Sequence, residues 1–195
     1  MHYPDEIAPD FSDRKVAREL HPLLARRWSP RSFKQYTISE EDVDTLLEAA
    51  RVAPSCYNEQ PWRFYLSNPQ NFSDCLSLLV PANRRWAKSA SLIGFIASKI
   101  AFSRNNERND YAAFDCGAAW MSLTVQARSM GLYTHGMGGI DHQQVAKYFG
   151  IDDAYQVICG FVIGVADSPE ALPDELREKD KPSPRKSLSE IISSR

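Results

Sequence analysis

The stretch APSCYNEQPWRFYL, residues 53–66, joins the end of a helical pattern to the start of an aromatic strand pattern. Pro54 ends the helix, and Pro61 opens the strand, because proline cannot continue a helix and is tolerated at the first residue of a strand. Ser55, Asn58 and Gln60 lie between the two prolines, and all three side chains can form hydrogen bonds. A loop of this composition can stabilise its own turn or hold a polar ligand.

The elements on either side of this loop are well marked. Ser39 is a good N-cap for a helix, and three acidic residues follow it, where the positive end of the helix dipole favours them. Val43, Leu46, Leu47 and Ala50 form its apolar stripe. After the loop, Trp62–Ser67 has the composition of a strand.

The rest of the chain alternates between helical and strand patterns without a regular strand–helix repeat. The periodicity predicts helices over residues 13–25, 72–80, 110–130 and 141–150, and strands over 91–98 and 155–166. We expect an α+β fold. The helix over 110–130 is apolar on more than one side, so we expect it to be buried centrally or against a second subunit.

The bulk composition is that of one globular domain, which we assign to residues 1–195. The chain is 43% hydrophobic and 25% charged, with a formal net charge of −2. This balance argues against a general nucleic-acid binder. No segment resembles a signal peptide or a membrane span, so we expect a cytoplasmic protein. The four cysteines have no metal or redox spacing, and we expect them to be reduced.

Several kinds of catalytic site are absent from the sequence. It contains neither a GxxxxGK[ST] phosphate loop nor a GxSxG nucleophile elbow. The four histidines are too scattered to support a catalytic triad or a metal site. We predict no metal and no catalytic side chain.

Three polar clusters remain. Arg27-Trp28-Ser29-Pro30-Arg31 places two fixed cations and a hydroxyl in one short segment, where arginine could bind a phosphate or a carbonyl. Gly136-Met137-Gly138-Gly139 offers backbone N–H groups that a flat ligand could approach closely. Arg185 and Lys186 lie in a tail rich in proline and charge. Taken singly, these clusters are also compatible with a basic turn, a plain loop and a charged surface.

Taken together, five segments resemble the nitroreductase superfamily of FMN-dependent oxidoreductases. The segments are ARRWSPRSF, APSCYNEQPWRF, DYAAFDCGAAWMSLTVQARSMGL, THGMGGID and PRKSLSEI, and they occur in that order from about residue 21 to the end. The resemblance implies a mostly antiparallel sheet flanked by helices and a homodimer whose subunits share two FMN sites.

The same resemblance implies roles for particular residues. Arg27 and Ser29 would contact the phosphate and ribityl groups of FMN, and Arg31 would lie near the pyrimidine carbonyl. Trp28, which stands where the family often has Arg or His, is also a candidate cofactor-binding residue. Pro54, Ser55 and Cys56 would line the ring from the opposite subunit, and Asn58 would bind its pyrimidine edge. The segment Gly136, Met137, Gly138 and Gly139 would direct an N–H toward the ring, and Arg185 would close on the phosphate.

The activity implied is ping-pong transfer of reducing equivalents from NAD(P)H to an electron-poor acceptor such as a nitroaromatic, a quinone or an activated alkene. Two alternatives stay open: flavin fragmentation, dehalogenation or dehydrogenation on the same fold, and a flavin-binding sensor without turnover. We expect residues 1–12 to form an N-terminal arm. Residues 167–195 should dock on the core or the partner subunit through Leu188, Ile191 and Ile192.

Overall fold

The computed structural model describes residues 3–16 and 18–194. Its five strands are β1 (Phe33–Lys34), β2 (Trp62–Leu66), β3 (Leu92–Lys99), β4 (Tyr133–Met137) and β5 (Tyr155–Ala166). Its helices are α1 (Pro22–Ala25), α2 (Glu40–Arg51), α3 (Phe72–Ser77), α4 (Pro81–Ala87), α5 (Ala112–Ser129), α6 (His142–Phe149), α7 (Asp174–Arg177) and α8 (Leu188–Ile191). Shorter 3-10 turns cover Ser12–Arg14, Cys56–Asn58 and Pro169–Ala171.

The strands form one antiparallel sheet in which β5 is central. One edge of β5 pairs with β3, which in turn pairs with β2. Strand β5 also pairs with β4 over residues 160–164 and, near its C-terminal end, with β1. This arrangement confirms the expected α+β fold with an antiparallel sheet and flanking helices.

Helices cover both faces of the sheet. On one face, Leu46 of α2 and Leu123 of α5 belong to a core with Phe161 of β5. On the other face, α3, α4 and α6 contribute to a second core around Phe95. Gly94 is required by this packing, because a Cβ atom there would lie 2.2 Å from the Phe161 ring.

The elements with the clearest sequence signals are confirmed. The helix after Ser39 begins where expected, and Ser39 Oγ accepts a hydrogen bond from the backbone N–H of Asp42 at 3.1 Å. Asp141 caps α6, and Gly150 ends it with a left-handed φ of 61°. The predicted strand 155–166 is β5 itself. All four cysteines are free thiols, as expected.

The predicted helix over 13–25 is wrong. Lys15 adopts a left-handed φ of 47° that ends the 3-10 turn, and Pro22 begins the four-residue α1 rather than lying inside a longer helix. Strand β4 and helix α4 have no counterpart among the predicted elements. The glycines at 136, 138 and 139 favour a loop, but backbone pairing with β5 holds Gly136 and Met137 in a strand.

The tail does not dock on its own core through the predicted apolar residues. Leu188 and Ile191 of α8 are 52% and 64% exposed, and Ile192 is 37% exposed. An earlier part of the tail is anchored instead, since Asp180 and Pro182 are buried. Docking on a partner subunit stays a prediction.

Candidate functional site

A cavity of about 160 Å³ brings together residues from four separate parts of the chain. It is called the cation cavity below, because most of its lining is arginine and lysine. The lining residues are Arg14, Arg27, Trp28, Ser29, Arg31, His135, Lys181, Ser183 and Arg185. The Arg27–Arg31 cluster and Arg185, which the sequence singled out separately, therefore share one site.

The segment between α1 and β1 forms one wall of the cavity. Arg27 is partly buried, and its Nη1 donates to the Ser29 hydroxyl at 3.2 Å. Trp28 is 5% exposed and packs edge-on against Tyr133, with 6.4 Å between the ring centroids. Trp28 thus anchors the segment in the core, where a cationic side chain at this position would be costly to bury.

The tail forms a second wall because Asp180 fixes it to the first. Asp180 is 5% exposed, and its two carboxylate oxygens accept the backbone N–H groups of Arg31 at 2.6 Å and Ser32 at 3.2 Å. Lys181 and Arg185 follow on the cavity side. Arg185 is exposed, and its Nη1 donates to the carbonyls of Ser183 and Pro184.

Arg14 enters the site from the N-terminal segment and was not predicted from the sequence. Its side chain is buried, and Nη1 donates to the carbonyls of Ala25 at 2.7 Å and Arg27 at 2.9 Å. The segment lies within the wrongly predicted helix over 13–25, so no periodic pattern marked Arg14 as an inward residue. The only available signal was its positive charge.

His135 contributes from β4. Its Nδ1 lies 2.8 Å from the Pro30 carbonyl, which can only accept, so Nδ1 carries the proton and the ring is fixed in one tautomer. The ring also packs on Trp86, at 4.6 Å between centroids. Burial, together with the smaller effect of the Arg31 and Arg27 charges, lowers the pKa of His135 to about 4. The imidazole is therefore neutral at pH 7.

The cation cavity concentrates positive charge without a compensating carboxylate. None of the described residues that line it is acidic. Burial, followed by the charge of Arg185, lowers the pKa of Arg27, and burial with the charges of Arg185 and Arg27 does the same for Arg14. A site built from repelling cations is suited to an anion.

The loop between α2 and β2 does not reach this cavity. Pro54, Ser55, Cys56 and Asn58 are absent from its described lining. The loop has a fixed shape: Ser55 Oγ accepts the backbone N–H of Gln60 at 2.9 Å, and Asp115 of α5 accepts that of Cys56 at 3.1 Å. Asn58 has a left-handed φ of 57° and is exposed. One chain therefore does not bring the two predicted halves of the site together.

The glycine segment divides between exposed and packed positions. Gly136 and Gly138 are exposed, and a Cβ at Gly138 would meet nothing within 4 Å. Met137 is 4% exposed in the core, which leaves only its backbone for a ligand. A Cβ at Gly139 would lie 2.6 Å from Asn83 Nδ2 and 2.8 Å from Val80, so this glycine is needed for packing against α4.

Residues 3–16 and 18–194 contain neither a metal site nor a membrane-spanning helix. No group of three or more His, Cys, Asp or Glu side chains there could hold a metal ion. No helix in the same ranges is both long and apolar enough to span a bilayer.

Comparison with known proteins gives consistent matches. The model of the nitroreductase family matches residues 24–165. A crystal structure described as an oxidoreductase containing FMN is 34% identical, with a TM-score of 0.89, and the match covers 96% of this chain and 98% of the other. A protein from Exiguobacterium sibiricum, solved in complex with FMN, has a TM-score of 0.76 over 93% of this chain and 100% of its own, but at 22% identity it shows the fold alone.

Relatives identified by sequence are more distant. A Bacillus subtilis protein, provisionally named an NAD(P)H nitroreductase, is 25% identical over 161 residues, or 63% of this chain and 77% of the relative. An oxygen-insensitive NADPH nitroreductase of Helicobacter acinonychis is 34% identical over 77 residues, or 39% of this chain and 37% of the relative.

Proposed function

The chain belongs to the nitroreductase family, and on that premise we propose that it is an FMN-dependent oxidoreductase. It would transfer reducing equivalents by a ping-pong mechanism from NAD(P)H to an electron-poor acceptor such as a nitroaromatic, a quinone or an activated alkene. The observation that carries the proposal is the cation cavity, which joins Arg27, Ser29 and Arg185 in one site.

The cavity fits the phosphate end of FMN. A phosphate monoester carries a charge of about −1.5 to −2 at pH 7, with three strong acceptor oxygens. The cavity offers four arginines, one lysine and two serine hydroxyls. Arginine binds phosphate bidentately. None of the described residues that line the cavity is acidic, so no carboxylate there competes with the phosphate for the arginines.

Within this proposal, each polar residue has a separate task. Arg27, Ser29 and Arg185 would bind the phosphate, and Arg31 would face the polar edge of the ring. Neutral His135 would not add to the positive charge at pH 7, and its single tautomer leaves Nε2 as an acceptor for a hydroxyl group.

The ring half of the site would come from a second copy of the chain. The loop carrying Pro54, Ser55, Cys56 and Asn58 lies outside the cation cavity of its own chain. Helix α5 also presents an exposed apolar face, with Phe114 at 78% and Met121 at 37% exposure. A face of this kind is typical of a subunit interface. A homodimer would cover α5 and let the loop of each subunit complete the site of the other.

Bound FMN would supply the redox chemistry, accepting two electrons from NAD(P)H and passing them to the acceptor. The chain's own residues would bind the flavin, orient it and shield it. The fixed loop over 54–60 would hold its shape without help from the ligand, because backbone and side-chain hydrogen bonds already define it. The exposed Gly136 and Gly138 would leave room for a flat substrate beside β4.

A binding comparison tests the cofactor assignment. The apo-protein is titrated with FMN, riboflavin and FAD, and binding is followed by flavin fluorescence. We expect FMN to bind more tightly than riboflavin by a factor of ten or more, since about 1.4 kcal/mol corresponds to each factor of ten and charge-assisted hydrogen bonds contribute more than this. Equal affinity for FMN and riboflavin, or a preference for FAD, would contradict the proposal.

A further inference from the structure

Arg14 is a buried cation whose hydrogen bonds are incomplete. The guanidinium has five N–H donors, and among the residues that the structure describes only Nη1 has partners, the carbonyls of Ala25 and Arg27. Nε and Nη2 are buried and form no hydrogen bond with any residue that the structure describes. The Phe11 ring packs on the guanidinium, with 4.8 Å between Arg14 Cζ and the ring centroid, but the ring has no oxygen or nitrogen that could accept these hydrogen bonds.

This arrangement is costly for the protein on its own. A buried charged group without a counterion or full hydrogen bonding destabilises the fold. No ion pair that the structure shows among residues 3–16 and 18–194 includes Arg14. Its charged neighbours across the cation cavity, Arg27 and Arg185, repel it. An anion in the cavity would supply the missing opposite charge.

The geometry of the free groups favours phosphate. The N–H of Nε and one N–H of Nη2 point the same way along one edge of the planar guanidinium, which is the edge that binds two phosphate oxygens together. The two carbonyl contacts of Nη1 hold the other side of the group in place.

We infer that Arg14 is a binding residue for the phosphate of the bound flavin nucleotide, contributed by a segment that precedes the family match at residues 24–165. The inference rests on the proposed function, because it takes FMN as the ligand. Arg14 would bind the phosphate together with Arg27, Ser29 and Arg185, although it lies outside the short motifs that carry the family resemblance.

Two titrations of Arg14→Met separate this role from a purely structural one. Methionine keeps much of the side-chain volume and removes the charge. We expect FMN affinity to fall about tenfold or more, as for loss of a charge-assisted hydrogen bond, while riboflavin affinity stays within about twofold. The rise in thermal midpoint that inorganic phosphate gives the apo-protein should shrink. Equal losses for FMN and riboflavin, or no loss for either, would overturn the inference.

Arg84→Met is the matched control. Arg84 also donates to two backbone carbonyls, those of Leu79 and Ser77, but it does not line the cation cavity. The Arg84→Met variant should therefore have the same ratio of FMN affinity to riboflavin affinity as the wild type. If Arg14→Met fails to fold, Arg14→Lys decides the matter. Lysine keeps the charge without the bidentate edge, so FMN affinity should fall several-fold with riboflavin affinity unchanged, and full FMN affinity would overturn the inference.

A double mutant distinguishes direct binding from action through Arg27, whose carbonyl Arg14 holds. In an Arg27→Ala background, Arg14→Met should still weaken FMN binding several-fold. If its effect vanishes there, Arg14 only positions Arg27, and the inference is wrong. Failure of the proposed function gives a different result, in which the wild-type protein itself does not prefer FMN to riboflavin.

Discussion

Asp180 accepts a hydrogen bond from the backbone N–H of Arg31 at 2.6 Å, although the two residues are 149 positions apart in the chain. The contact ties the C-terminal tail to the segment that carries Arg27 and Ser29. The tail therefore does not need its apolar end to reach the cation cavity. Lys181 and Arg185, which follow Asp180 in the chain, are placed by this buried carboxylate.

Asp180→Ala should release the tail and weaken FMN binding. The substitution leaves the N–H groups of Arg31 and Ser32 without their acceptor, which costs about 1–3 kcal/mol of the free energy of unfolding. Trypsin should cut the apo-protein at Arg185 faster than it cuts the wild type. Mass spectrometry of timed digests and an FMN titration measure the two effects.

Asp174→Ala is the control for Asp180→Ala. Asp174 lies in α7 of the same tail, with its side chain 93% exposed and paired with Arg177 at 3.1 Å. It should change neither the cleavage rate nor the FMN affinity. Identical digests of wild type and Asp180→Ala would show that the carboxylate does not anchor the tail.

Arg185→Ala should weaken FMN binding by roughly tenfold to a hundredfold, since a charge-assisted hydrogen bond contributes about 1.5–3 kcal/mol. Because Arg185 is exposed, we expect the lower end of this range. The protein should still fold, and excess FMN should restore its activity. Lys186→Ala, one position further along, is the control. Dissociation constants of wild type and Arg185→Ala that agree within about twofold would exclude Arg185 from the site.

His135 makes the stability of the apo-protein depend on pH. Its pKa is about 4 in the folded chain, against about 6.5 in an unfolded chain. Between these values the unfolded state binds more protons, so the free energy of unfolding falls as the pH drops from about 6.5 to about 4. Protonation of His135 changes the free energy of unfolding by at most about 1.4 kcal/mol per pH unit. Above about pH 6.5 the stability that depends on neutral His135 is fully present.

Denaturant unfolding at pH 5 and pH 7 measures this effect in wild type and His135→Gln. The wild type should lose more stability than the variant on going to pH 5, because glutamine does not titrate. The other described histidines, His21 and His142, are common to both proteins and cancel in the comparison. The same pH dependence in the two proteins would rule out a lowered pKa for the partly buried His135.

The proposed homodimer predicts that the exposed face of α5 is an interface. Phe114→Lys should place a charge in this interface and shift the protein toward a monomer in analytical ultracentrifugation. The variant should also retain less FMN. Tyr148→Lys is the control, since Tyr148 on α6 is also exposed, at 41%, and lies beside Asp74 on the opposite layer. A wild-type protein that is monomeric and fully loaded with FMN would exclude a shared site.

The sequence predicted those elements whose signals are local. Helix α2 has a capping serine and a regular apolar stripe, and the long strand β5 is rich in β-branched and aromatic residues. The Arg27–Arg31 cluster and Arg185 were noticed for their charge, but their binding roles were assigned only through resemblance to a family. That resemblance concerns short motifs, and it cannot reveal which other residues the fold brings beside them.

The missed features depend on distant contacts. Strand β4 contains Gly136 and forms because it pairs with β5, which no local propensity shows. Arg14 is fixed by carbonyls 11 and 13 positions away, and Asp180 by N–H groups more than 140 positions away. Such pairings arise only in the folded chain, and for this reason neither Arg14 nor the anchoring of the tail by Asp180 was predicted.

The proposed reaction carries electrons from a nicotinamide nucleotide to the FMN-loaded protein and from there to an electron-poor acceptor. Its most direct test is an anaerobic titration of the purified, FMN-loaded protein with NADPH and with NADH, followed by the visible absorbance of the flavin. We expect at least one nucleotide to bleach the absorbance, and a quinone or nitroaromatic added afterwards to restore it. Absorbance that neither nucleotide changes, in a protein that retains its FMN, would contradict the proposed activity.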